Sequence, residues 1–236
     1  IDIMAGKGSC IIIKYQYRFF AITAKHVLKN QKDDNGNYLN DSPFWMPMEF
    51  NKGWTTMHDF FMPKKLWNIG ELIKAEDRVN LNDICMIELY HPMIGFTFPD
   101  NFIDLDENPN SFSPKDCFFH GKYLMVSGYP FEKNSFDWEA NHPDPKMTHS
   151  TNIHRDTIVG IYSQEGEGVG HISFEYTEND ITHESCNGMS GGVVYDIHED
   201  SNDVRICGMI LTISNNLCTF LPSYIMVEAI KNYRDA

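Results

Sequence analysis

The segment ESCNGMSGGVVYD, Glu184 to Asp196, crowds glycines at 188, 191 and 192 around Ser190 and then runs into a β-branched stretch. Those glycines leave the serine without bulky neighbours and let the backbone reach conformations that residues with a Cβ avoid. Such a cluster most often forms a turn that feeds a strand. It also suits a nucleophile on a strained turn, with backbone N–H groups aimed at a developing oxyanion. The second use requires a base and an orienting acid elsewhere in the chain.

The bulk composition narrows the field. The 236 residues are 42% hydrophobic and 13% aromatic, enough for a substantial core in one large all-β unit or two smaller halves. A net charge of −14 argues against a nucleic-acid partner, because phosphate binding needs a basic footprint. The same charge disfavours docking on an anionic membrane, and no apolar run approaches the length of a membrane span. The chain shows no signal peptide and starts at Ile1, which is compatible with an upstream segment having been cut away. Six cysteines, at 10, 85, 117, 186, 207 and 218, show no CxxC spacing. Cys85 and Cys207 sit inside apolar runs, where a buried free thiol is the default, so a reducing, cytoplasmic setting is expected. His142, His149 and His154 share a polar loop but lack the partners of a recognisable ligand set, so neither a metal nor a cofactor is expected.

Outward from Ser190, the pattern is one of short strands. GSCIIIKYQYRFFAITAKHVL, from Gly8, predicts strands over Cys10–Lys14 and Phe19–Thr23, joined by a polar turn and followed by a short helix from about His26. Residues 29–44 predict a long polar loop. Strands are expected over Ile69–Ala75 and Ile84–Tyr90, and the proline-bearing segment from Pro92 to Pro114 reads as a connection between halves. The second half predicts a strand ending at Gly128 and a surface loop over 131–150. Further strands are expected over Thr157–Ser163, His171–Tyr176, Gly192–Ile197 and Val204–Ile213. Ile225, Met226, Ala229 and Ile230 have helical spacing and predict an amphipathic terminal helix.

Two further residues stand out by context. His26 follows the strand-like FFAITAK, which would fix its position, and Asp83 directly precedes an alternating apolar strand. With Ser190 they supply a base, an acid and a nucleophile for acyl transfer. AITAKHVL (21–28), NDICMIEL (82–89) and ESCNGMSGGVV (184–194) resemble the three active-site blocks of chymotrypsin/trypsin-like serine peptidases. VSGYP (126–130) and the terminal helix resemble features of the bacterial and organellar branches, including high-temperature-requirement proteases and glutamyl endopeptidases.

The resemblance covers the chain from about Gly6 to its end and implies an all-β fold of two six-stranded antiparallel barrels with a cleft between them. Residues 1–105 would carry His26 and Asp83, and residues 106–236 would carry Ser190 and the terminal helix. Ser190 would be the nucleophile, His26 the general base and Asp83 its orienter, with the N–H groups of Gly188 and Ser190 as the oxyanion hole. The substrate pocket would involve Glu184, Ser185, Asn187, Leu211 and Ile213. Glu184 would favour a basic P1 side chain, whereas Ile213 replaces a family glycine and would narrow the pocket. Cys186 and Cys218 fall near a family disulfide, to be formed only in an oxidising compartment.

Two departures stand beside these matches. Met189 occupies the place of the aspartate that digestive relatives pair with a freed N-terminus, so no insertion of Ile1 is expected and another device must order the loop. Val27 replaces the cysteine that usually follows the histidine. The implied partners are a protein or peptide substrate and a regulatory domain or activator. The alternatives are a catalytically silent peptide-binding module on the same fold and an unrelated β protein whose glycines make only a turn.

Overall fold

The computed structural model describes residues 8–28, 45–49, 57–72, 81–92, 99–138, 141, 143, 149–166, 169–174, 186–198 and 203–233. The fold is mostly strand. In chain order the strands are β1 (Ile11–Tyr15), β2 (Arg18–Ala24), β3 (Met46–Pro47), β4 (Phe60–Phe61), β5 (Pro63–Asn68), β6 (Ile84–Leu89), β7 (Ile103–Asp104) and β8 (Tyr123–Gly128). They continue with β9 (Ser135–Trp138), β10 (His149–Asn152), β11 (Asp156–Gly166), β12 (Val169–Ser173), β13 (Val193–His198), β14 (Asp203–Ser214) and β15 (Leu217–Pro222). The helices are α1 (Lys25–Leu28), α2 (Ile69–Leu72) and α3 (Ser223–Asn232). None is long and apolar enough to cross a membrane.

In the second half, β8 bonds to both β11 and β13, and antiparallel pairs continue through β12, β15 and β14, so six strands close a ring. Its interior is apolar, built around Leu124, Val126, Ile172, Val194, Ile210 and Phe220. Asn215 and Asn216, at φ 50° and 59°, turn β14 into β15, the left-handed pair that a two-residue hairpin needs.

In the first half the described residues do not complete the expected six-stranded antiparallel barrel. They build a five-stranded sheet in the order β5-β6-β2-β1-β7, with β1 and β7 parallel. Its inner face is covered from the second half, since Ile13, Ile22 and Met86 share one core with Met209, Leu221 and Met226. The terminal helix α3 therefore covers the face of a sheet to which it does not belong in sequence. Glu88, 4% exposed on β6, fixes that docking. Its carboxylate accepts from Tyr233 Oη just beyond α3 and from Lys64 Nζ on β5, each at 2.7 Å.

Two local expectations are corrected. Ile69–Leu72 is helical, and the strand lies one step earlier as β5. As an edge strand β5 exposes Lys64, Lys65 and Leu66, so it lacks the apolar alternation of a buried strand. The segment read as a surface loop over 131–150 contributes a small hairpin, β9 with β10. The long loop expected over 29–44 lies outside the described residues.

Candidate active site

Ala24 pairs with Ile84 at the end of the β2–β6 ladder. The residues just beyond this pair, His26 in α1 and Asp83 in a 3-10 turn, therefore emerge side by side. Asp83 Oδ1 accepts the His26 backbone N–H at 3.0 Å, and Oδ2 lies 2.5 Å from His26 Nδ1. A carboxylate offers only acceptors, so Nδ1 carries a proton toward Asp83 and Nε2 is the ring nitrogen left for a reacting partner. The side chains are 42% and 40% exposed, leaving the ring open to solvent and to a reacting partner.

Ser190 sits where the barrel meets the end of β2. Its carbonyl accepts the Ser9 N–H at 3.3 Å, and the Ser9 carbonyl accepts Thr23 Oγ1 at 2.7 Å, three residues before His26. Gly191, at φ +86°, makes this approach possible: a Cβ there would lie 2.0 Å from Ser9 O and 2.5 Å from Thr23 Oγ1. The Ser190 hydroxyl donates to Leu211 O at 2.8 Å. Leu211 is the extra residue of a bulge, since Ile210 pairs with Phe220 and Thr212 with Thr219. The bulge turns the Leu211 carbonyl out of the ladder. No hydrogen bond joins Ser190 to His26 in this geometry. The structure thus joins His26 to Asp83 and anchors Ser190 nearby on a separate partner.

The backbone donors of the serine loop divide into two sets. The N–H groups of Met189, Gly191 and Gly192 bond to Cys186 O, Ile210 O and Met189 O at 3.0, 2.8 and 2.8 Å. Those of Gly188 and Ser190 have no acceptor among the described residues. Gly188 is left-handed, at φ +95°. Met189 is fully buried among Cys186, Ile210 and Ile213, so an apolar side chain anchors the loop.

Of the expected pocket residues, Glu184 and Ser185 lie outside the described residues, as do Ile1 and His142. Asn187 is exposed, and its carbonyl accepts the Phe131 N–H at 2.6 Å. Ile213 is 5% exposed and packs in the barrel interior rather than lining an open pocket. No disulfide joins Cys186 to Cys218; Cys218 Sγ instead faces Thr219 O at 3.8 Å. Burial, and secondarily the field of Cys186, pushes the Cys218 thiol upward. His154 donates its backbone N–H to Asn134 Oδ1 at 3.0 Å. Ser9 and Phe131, which the sequence did not mark, bond to the serine loop directly, and Tyr129 bonds to Ser9.

A scan of the chain against protein-family models finds no match, and a search of curated proteins finds no relative.

Proposed function

We propose that this chain is a serine endopeptidase that hydrolyses peptide bonds through an acyl-enzyme without a cofactor. The observation that carries the reading is the Asp83–His26 pair, which engages Nδ1 and leaves Nε2 for a reacting partner, beside a serine loop with two N–H groups that have no acceptor among the described residues. The finer architecture belongs to the same proposal: the first-half sheet is one barrel of a two-barrel peptidase, and its face is completed by α3.

On this reading each residue has a defined role. From Leu211 to Ser214, β14 pairs only with β15 among the described residues, which leaves the opposite edge for an extended peptide. As substrate binds, Ser190 rotates about χ1 and exchanges Leu211 O for His26 Nε2. Catalytic hydrogen bonds of this kind often tighten only in the complex. His26 takes the hydroxyl proton while Oγ attacks the scissile carbonyl carbon. Charge moves onto the carbonyl oxygen between the N–H groups of Gly188 and Ser190, each such donor supplying about 2.7–4 kcal/mol in the transition state. The imidazolium, stabilised by Asp83, gives the proton to the leaving amine, and water repeats the cycle on the acyl-enzyme. A basic P1 side chain belongs to this reading through Glu184 and the chain's acidity, and a regulatory partner through the unusual Met189.

The purified chain should cleave a mixed peptide library, and Ser190→Ala should abolish cleavage while keeping the parent's thermal midpoint. Equal cleavage by both would remove Ser190 from the role of nucleophile. A silent peptide-binding module is the second reading, favoured by the hydrogen bond from Ser190 to Leu211 O in place of His26. Peptide binding without turnover by the parent would support that module.

A further inference from the structure

We infer that Ser9 and the backbone N–H of Phe131 position the serine loop, holding it with both oxyanion donors outward from within the folded chain. The inference rests on the serine-peptidase reading and specifies how its oxyanion site is kept ordered.

The argument follows consecutive peptide planes. In a trans peptide the C=O and N–H point in opposite directions, so fixing one fixes the other. The carbonyl of the Asn187–Gly188 unit accepts Phe131 N–H at 2.6 Å, which turns the Gly188 N–H away from Phe131. The next unit is held at both ends: Gly188 O accepts Ser9 Oγ–H and Met189 N–H donates to Cys186 O, each at 3.0 Å. Met189 O accepts Gly192 N–H at 2.8 Å, which turns the Ser190 N–H away from Gly192. In the last unit Ser190 O accepts Ser9 N–H and Gly191 N–H donates to Ile210 O. The two N–H groups with no acceptor among the described residues, those of Gly188 and Ser190, are the two that the proposed chemistry requires.

Ser9 joins these parts. Ser9 is 4% exposed, and its hydroxyl donates to Gly188 O and accepts Tyr129 N–H at 2.9 Å. The second bond brings Tyr129-Pro130-Phe131 against the loop, where a Cβ on Gly188 would meet Tyr129 O and Phe131 N at 2.9 Å. The Ser9 carbonyl continues the chain of bonds to Thr23 on the strand that leads to His26. Flipping the Asn187–Gly188 peptide would point a carbonyl into the oxyanion site and break the Phe131 bond. Position 131 therefore governs the hole although its side chain is not part of it.

Phe131→Pro removes this donor, and its ring would push away the Asn187 carbonyl that now lies 2.6 Å from the nitrogen. Residue 131 opens a 3-10 turn, where proline is tolerated, and Pro130 at ψ 130° already has the conformation favoured before a proline. Phe131→Ala removes the side chain and keeps the N–H. We expect Phe131→Pro to lower kcat about 10²–10³-fold, with KM unchanged and Phe131→Ala close to the parent. Affinity for a peptide boronate should fall with kcat, while affinity for the cleaved product stays constant. Ser9→Ala should lower kcat in the same way, and it decides the question if Phe131→Pro fails to fold. Parent-like kcat in Phe131→Pro, or in Ser9→Ala where the proline variant does not fold, would overturn the positioning role alone. A parent protein that neither hydrolyses peptides nor binds the boronate would overturn the peptidase reading and this inference with it.

Discussion

Asp83 holds His26 at two points, one carboxylate oxygen on its backbone N–H at 3.0 Å and the other on ring Nδ1 at 2.5 Å. The first contact fixes the start of α1; the second fixes the tautomer. Asp83→Asn nearly preserves the shape but can present an N–H to Nδ1, which places the ring proton on Nε2 and removes the base. We predict a loss of about 10⁴-fold in kcat with a small change in thermal midpoint, because both side chains are substantially exposed. Steady-state kinetics beside a melting curve checks it. A parent-like kcat would take Asp83 out of the mechanism.

Gly191→Ala should separate Ser190 from the first half. The added Cβ would lie 2.0 Å from the Ser9 carbonyl oxygen, at a φ of +86° that side chains rarely adopt. Backbone strain of this kind costs about 1–3 kcal/mol, and displacement of Ser9 should reduce activity further. Urea unfolding measures the first effect and peptide turnover the second. Unchanged stability would contradict the packing of Gly191 against Ser9.

Acid should loosen the attachment of α3. Burial alone would raise the Glu88 carboxyl, but hydrogen bonds from Lys64 and Tyr233, with the fields of Lys64 and Arg18, hold it below its ordinary value. Asp104 behaves alike: burial opposes ionisation, while Lys14 and the backbone N–H groups of Glu107 and Asp106 lower its pKa. A carboxylate with a depressed folded pKa contributes stability above its unfolded pKa and loses it as pH falls through the folded one. Stability should therefore decline below about pH 4, and Glu88→Gln or Asp104→Asn should flatten that decline while lowering stability at neutral pH by about 1–3 kcal/mol. Denaturant midpoints from pH 7 to pH 3 test this. Parallel curves for parent and variants would refute it.

The Cys10 and Cys85 thiols should resist alkylation until the protein opens. Burial, with Cys85 nearby, pushes Cys10 up to about 12, and Cys85 is likewise raised to about 12 by burial. The thiolate is the reactive species, so neither should be modified at neutral pH in the folded state. Iodoacetamide labelling read by mass spectrometry should show both protected in buffer and modified in denaturant. Rapid labelling of native Cys85 would contradict its burial on β6.

Much of the architecture was written in side-chain pattern. β1, β2 and β6 carry dense apolar runs, and the helical spacing of Ile225, Met226, Ala229 and Ile230 matches the buried face of α3. What α3 covers was not legible, because its partners Ile22 and Met86 are remote in sequence and carry no sign of a helix against them. β5 was displaced because its lysine-bearing edge lacks alternation, and the five-stranded order was hidden because β7 is only two residues long. At the site, His26 and Asp83 were visible as polar residues fixed to strand ends. Ser9 and Phe131 were not. Phe131 acts through its backbone N–H, a group that every residue but proline possesses and that leaves no trace in composition. Ser9 was one hydroxyl at the mouth of an apolar run, with nothing in its neighbours to mark the loop it reaches.

The most direct measurement is labelling of the folded chain with a fluorophosphonate, followed by mass spectrometry to locate the adduct. The account predicts one adduct, on Ser190, lost in Ser190→Ala and greatly slowed in His26→Ala and Asp83→Asn. An unlabelled folded protein, or an adduct on another residue with Ser190 untouched, would contradict it.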